Sequence, residues 1–372
     1  MADRLILGAR RSLDREATLH IPDGYLSPEV AVVTTAAAVG FVRVAGSALR
    51  VPRQRACYAL RVPRRRAEGS ATVGTRGGGI GRDARTAQLF GVTAAFLFAV
   101  QLLNFPVAHG TSGHLLGAAL AAVLLGPWLG CLAVTLVLAT QALLFADGGI
   151  AALGANVLNM AVIGALLTGW LLSRAGFAPL AAGGASASRS ARAGGAADGG
   201  GRRSGAFLAL VAGCAWLSVM AAAVATALEL AISGAAPFGE VLRAMVEVHA
   251  GIGAGEALIT VSAVALVLLE PRAFVAAALG LSVALAVAVA PFASAQPDGL
   301  ERVALDHGFA GGGRLHAVQE RAPARDYAAP GLGDERLATA VAGAAGTLAV
   351  FALAFAAGAA GGAARRREPL PR

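Results

Sequence analysis

Six histidines and a few well-placed acids are the side chains of this sequence able to do chemistry, and three of the six sit in distinctive surroundings. His20 and Asp23 lie in Leu19-His20-Ile21-Pro22-Asp23-Gly24, where proline and glycine mark a tight turn that folds an imidazole and a carboxylate towards each other. His114 ends Gly110-Thr111-Ser112-Gly113-His114, with Gly117 just beyond it. His249 opens an apolar run, and Glu256 follows seven residues on, on the same helical face. Imidazole suits nickel, cobalt, copper and zinc, whereas calcium and magnesium prefer oxygen. An ionisable group inside an apolar span is costly and lines a functional cavity, which marks Glu256 as a site or scaffold residue. A single histidine is equally at home as an interfacial side chain; the set points to metal ligation or its support. There is no HExxH, because His249 lacks a partner at i+4, and so no zinc-protease motif. The three cysteines (Cys57, Cys131, Cys214) are scattered without CxxC spacing. The chain has no lysine and no GxxxxGK[ST] loop, so it does not hydrolyse ATP through that motif.

The elements that must position these side chains follow from composition. Hydrophobic residues make up 56% and charged residues 14%, with mean hydropathy +0.66. Several apolar runs reach about 18 to 25 residues, the length that crosses a hydrocarbon core. The fold class is therefore all-α, a polytopic helical membrane protein of about nine membrane segments. These are expected near 28–44, 88–103, 114–125, 128–145, 156–172, 206–232, 249–269, 273–291 and 337–360. The net charge of +9 reflects arginines between spans rather than a nucleic-acid surface. Residues 43–85 carry eleven arginines against two acids, and the Gly/Ala/Ser-rich stretch 173–204 carries five against one. Cytoplasmic loops are the basic ones. Nine crossings with the N-terminus outside put both stretches, 270–272 and the basic tail inside. The segment 293–335, with seven acids against four arginines, then lies outside, and all six histidines sit at or beyond the outer face.

Four strings carry a resemblance: HIPDGYLSP, NFPVAHGTSGHLLGAALAAVLLGPW, QALLFADGGIAALGANVLNM and HAGIGAGEALIT. Together, over about residues 19 to 270, they resemble the CbiM/NikM family, the substrate-capture components of cobalt and nickel energy-coupling-factor transporters. PFASAQPDGLERVALDHGF and the last span resemble the PDGLE domain, a two-helix partner found separately or fused behind the capture component. The expected organisation is a leader over 1–18, a metal-capture membrane domain over 19–272 with basic cytoplasmic loops 43–86 and 173–204, a PDGLE-like domain over 273–362, and a basic tail over 363–372.

The resemblance implies a square-planar set of four nitrogens: a terminal amine, the amide and imidazole of the histidine that follows it, and the histidine of TSGH. The matching residues are Leu19, His20 and His114. Amine, deprotonated amide and imidazole close fused chelate rings, and square-planar nitrogen favours nickel(II) and copper(II). Asp23, Asn104, Thr111, Ser112, His249 and Glu256 are expected to orient the ligands. The family motif begins at the initiator methionine, whereas eighteen residues precede it here and Leu19 stands in its place. A peptide-bonded Leu19 has no amine, so the working protein is expected to start at position 19, by a leucine-codon start or by removal of the leader. His109 stands where the family usually has glycine.

The expectation is thus a non-enzymatic, multi-pass inner-membrane protein that captures cobalt or nickel from outside and holds no permanent cofactor. A transmembrane coupling subunit and cytoplasmic ATPase subunits would supply the energy. A self-sufficient secondary carrier or channel is the alternative; it would need a continuous polar path, which the fourth, sixth, eighth and ninth spans do not offer. His307 and His316 lie in a Gly-rich segment read as flexible, so the PDGLE part is expected to assist loading rather than to form the site.

Overall fold

In lipid every backbone amide must be satisfied within its own segment, and helix is the way an apolar single chain does this. The computed structural model describes residues 20–48, 78–107, 110–180, 199–269 and 271–367. Leu19, His109 and the leader 1–18 lie outside the described residues, as does much of the two basic stretches. Helix α1 spans Pro28–Ala48 and α2 Gly78–Gln101. A two-residue hairpin, β1 Phe105–Pro106 with β2 Ser112–Gly113, leads to α3, Ala118–Leu125. Helix α4, Pro127–Thr140, runs into a π-helical turn over Gln141–Phe145. After a loop, α5 Leu153–Asn156, a second π-helical stretch Val157–Ile163 and α6 Gly164–Arg174 follow without a break. Then come α7 Gly199–Ile232, α8 Phe238–Leu269, α9 Pro271–Ala288, the short α10 Gly299–Asp306 and α11 Glu335–Arg367.

Among the described residues six helices are long and apolar enough to cross a membrane. The count of nine is therefore not reached on that measure. The segment expected as a third span, 114–125, is helical only over the eight residues of α3. Eight residues rise about 12 Å, well short of a hydrocarbon core. The remainder, from β2 to Gly117, is extended and turning backbone inside the protein, the setting in which irregular backbone is tolerated at membrane depth. His249, expected to open a span, instead lies inside α8, which begins at Phe238.

Small residues let the helices approach closely. Gly130 of α4 is one such point: a Cβ there would sit 2.8 Å from the Ala122 backbone nitrogen of α3. The broadest helix pairings are α7 with α8 and α2 with α11. The main apolar core gathers around Phe90, Leu97, Phe98, Leu115, Leu120 and Leu138. A second cluster joins Ile21 and Tyr25 to Leu230, Met245, Leu300 and Val303, so it packs the chain at its first described residues against α7, α8 and α10. The segment 293–335 is not a free loop: α10 packs on α8, and the 3-10 turn at Gln319–Arg321 packs on the π-turn after α4.

Candidate metal site

The chain entering at His20 is held by its backbone before any side chain acts. Asn156 of α5 clamps Ile21 on both sides: its Oδ1 accepts the Ile21 N–H (3.0 Å) and its Nδ2 donates to the Ile21 carbonyl (3.1 Å). The Gly149 N–H also donates to that carbonyl (2.9 Å). Asp23 Oδ1 accepts from the Ala152 N–H (3.0 Å), and the Asp23 carbonyl accepts from the Arg314 N–H (2.8 Å). Gly148 and Gly149 make the approach sterically possible. A Cβ on Gly148 would lie 2.8 Å from His20 Cβ, and one on Gly149 2.0 Å from Asp23 Oδ1.

Asp147 sits in the loop between the two π-helical stretches, elements that recur where a helix is opened at a functional site. It was not among the candidates from the sequence, although an acid in the Gly-rich turn Ala146-Asp147-Gly148-Gly149 between apolar runs is a readable signal. Its Oδ1 meets His20 Nδ1 at 3.0 Å, and its Oδ2 accepts from the Tyr327 hydroxyl at 2.5 Å. Tyr327 stacks on Phe145, and Gln319 Nε2 donates to the carbonyls of Ala142 (3.0 Å) and Gly148 (2.7 Å). Burial by itself would raise the Asp147 carboxyl. The charge and hydrogen bond of His20, with the Tyr327 hydroxyl, outweigh it and hold Asp147 below the usual carboxylate range. An ionised Asp147 on Nδ1 fixes the imidazole orientation and leaves Nε2, which is buried and has no hydrogen-bond partner in the protein.

His114 meets His20 edge to face, with ring centroids 5.4 Å apart. Both are buried, at 3% (His20) and 9% (His114) exposure. His114 is placed by the backbone on either side of it. Before it, the Ser112 N–H donates to the Pro297 carbonyl (2.8 Å) and the Ser112 hydroxyl to the Gln296 carbonyl (2.7 Å). After it, Glu256 accepts from the Leu116 N–H (2.7 Å) and the Gly117 N–H (2.9 Å), while Gly117 turns the chain at φ 77°. Glu256 therefore acts through the backbone of the His114 loop.

His20, His114 and His249 line one cavity of about 60 Å³ with Asn156, Asn159 and Thr226. His249 Nδ1 donates to the Met245 carbonyl (2.8 Å), which leaves its Nε2 as the acceptor nitrogen. Of the other candidates, Asp23, Ser112 and Glu256 brace the wall from outside it. Thr111 is buried and its carbonyl accepts from the Val107 N–H (2.8 Å). Asn104 lies off the cavity, its carbonyl bonded to the Ser294 N–H (2.8 Å). His307 and His316 do not line it either; His307 Nδ1 lies 3.8 Å from Glu240.

One expectation needs correcting. The segment taken as a flexible helper supplies Asp298, Gly299 and Leu300 to the cavity wall and Tyr327 to Asp147. Asp298 Oδ2 lies 3.9 Å from His114 Nδ1, and its Oδ1 caps α10 through the Glu301 N–H (2.7 Å). Burial pushes the Asp298 carboxyl up to about 7, against that hydrogen bond. Sequence reasoning missed these contacts because they join residues nearly two hundred positions apart. Among the described residues no group of three or more His, Cys, Asp or Glu side chains forms a ready metal cage. Two imidazoles with a carboxylate behind one of them fit a site that draws further donors from the backbone.

Comparison with known proteins bears on what such a site serves. Residues 73–273 match CbiM, the cobalt uptake substrate-specific transmembrane region, and residues 272–361 match the PDGLE domain. A relative from Archaeoglobus fulgidus, named as a fused nickel transport protein NikMN, is 34% identical over 288 residues, 74% of this chain and 87% of that one. The fused nickel transport protein NikMN of Rhodobacter capsulatus is 38% identical over 149 residues, 40% of this chain and 35% of that one. A crystal structure of a truncated transition metal transporter aligns with 27% identity and a TM-score of 0.44, covering 68% of this chain and 99% of that one. The first match spans more than half of the 372 residues, and the chain belongs to the CbiM family of cobalt-uptake transmembrane proteins, here with a PDGLE domain behind it.

Proposed function

We propose that this protein is the metal-capturing membrane component of an ATP-driven importer for cobalt(II) or nickel(II), and that it takes the ion on the outer side of the inner membrane. The observation that carries this reading is the meeting of His20 and His114 in a buried cavity. Imidazole nitrogens in a buried pocket select a transition metal over calcium or magnesium. The terminal amine and amide at Leu19–His20 complete the set once the chain starts at position 19. Closing chelate rings with that amide uses Nδ1, so in that mode the ion takes the place of the Asp147 hydrogen bond. The capture domain covers 19–272 and the PDGLE-like part 273–362. The mature N-terminus lies outside. Energy comes from a transmembrane coupling subunit and ATPase subunits, since the chain itself lacks a lysine-containing phosphate loop.

The test is metal binding by purified protein. His114→Ala is expected to abolish nickel and cobalt binding while the protein still inserts and runs as a single species. Unchanged metal stoichiometry in that variant removes His114 from the site and overturns the proposal.

A further inference from the structure

Asn159 and Glu229 were not singled out by the sequence, yet they form a polar pair inside the apolar bundle beside the histidine cavity. Asn159 sits in the π-helical stretch Val157–Ile163 and lines the cavity; Glu229 sits in α7, one turn after Thr226, which also lines it. Asn159 is 2% exposed and Glu229 7%. The Asn159 amide nitrogen donates to Glu229 Oε2 (2.7 Å) and to Thr226 Oγ1 (3.2 Å). A primary amide has two N–H bonds, and both are now used. The remaining polar atom, Oδ1, is buried and has no partner in the protein. Turning the amide over would set Oδ1 against an ionised carboxyl oxygen, with only the Thr226 hydroxyl able to donate to it. The Glu229 carboxyl therefore selects one of the two amide orientations.

An unpartnered buried carbonyl is costly, and so is a carboxyl inside a membrane span. Both are accounted for together if the cavity receives something that a carbonyl oxygen attracts. We propose that Glu229 and Thr226 are positioning residues that hold Asn159 with its carbonyl oxygen as an acceptor for a captured divalent cation or for a water held on it. This rests on the reading of the His20–His114 cavity as the metal site. In it, Asn159 makes the wall contributed by the π-helical stretch attractive to a cation, and a hydrogen bond from behind sets its direction, as for the outer partners of metal ligands.

The test is nickel and cobalt titration of the full chain purified from its native gene, with thermal melting of the metal-free protein alongside. Asn159→Leu removes the carbonyl and is expected to weaken binding by about 10- to 100-fold, the usual loss when an outer partner of a metal site is removed. Glu229→Leu frees the amide to turn and is expected to lose affinity in the same range. Glu229→Gln keeps an acceptor oxygen at that place and is expected to stay close to the parent affinity, which a role resting on charge alone would not allow. If Glu229→Leu fails to insert, Thr226→Val removes one of the two acceptors without adding bulk, and a measurable loss of affinity is expected. Parent-like affinity in Asn159→Leu or Thr226→Val overturns the inference, as does a loss in Glu229→Gln equal to that in Glu229→Leu. The control is His114→Ala. If it binds metal like the parent, the cavity itself is misread; if it loses binding while the Asn159 and Glu229 variants do not, only the positioning role falls.

Discussion

Replacing Glu256 with glutamine changes one atom type at a position that carries the His114 loop. Glu256 is fully buried at 0% exposure, and its two oxygens accept from the Leu116 and Gly117 N–H groups at 2.7 and 2.9 Å. In Glu256→Gln one oxygen becomes an NH2, so one of those two backbone donors faces another donor in a buried site. A hydrogen bond to a charged acceptor contributes about 1.5–3 kcal/mol, and a buried donor left unsatisfied costs about 1–3 kcal/mol. The loop should therefore lose on the order of 2–4 kcal/mol. Gly117 is held at φ 77° and a Cβ there would lie 2.4 Å from Leu97 Cδ2, so the loop has little room to find a second arrangement. Two assays read the effect: thermal unfolding of the purified protein, and nickel or cobalt titration. If about half of the loss is expressed as displacement of His114, about 1–2 kcal/mol corresponds to roughly 5- to 30-fold in affinity. Glu240→Gln, on an exposed residue near the start of the same helix, serves as the control and should change neither quantity. A Glu256→Gln protein with parent melting temperature and parent affinity would refute the argument that this carboxylate positions the loop.

Further outcomes follow from the same geometry. Tyr327→Phe deletes the hydroxyl donated to Asp147 and should weaken metal binding severalfold with little loss of stability, because the stack on Phe145 survives; titration against the parent checks it. Gly149→Ala places a methyl 2.0 Å from Asp23 Oδ1 and should displace the His20–Asp23 segment, abolishing capture; a variant that still binds metal tightly would show that this approach is unimportant. Ending the chain after Glu270 removes Asp298, Gln319 and Tyr327 together, so affinity should fall by at least tenfold; retained parent affinity would confine the site to the first part of the chain. In a cysteine-free background, a cysteine at Ala310 should react with an impermeant thiol reagent added outside intact cells while one at Ala175 should not, and the reverse pattern would overturn the orientation.

The sequence by itself determined the solvent in which this chain folds and marked the two histidines that meet in one cavity. Apolar runs of membrane length leave helix as the only way to satisfy the backbone, so the helical bundle could be read directly. His20 and His114 could be picked out because their turn-forming neighbours are local: Pro22 and Gly24 beside one, Gly113 and Gly117 beside the other. The tertiary structure alone decided what stands behind them. Asp147 reaches His20 across 127 positions, Glu256 reaches the His114 loop across 140, and Tyr327 reaches Asp147 across 180. No periodicity encodes such a meeting, since it depends on which helix faces pack and on backbone that turns only where Gly117, Gly148 and Gly149 permit it. For the same reason hydropathy read 114–125 as one span. The eight-residue helix α3 is apolar throughout because the bundle buries it on all sides, and composition cannot distinguish burial in protein from burial in lipid.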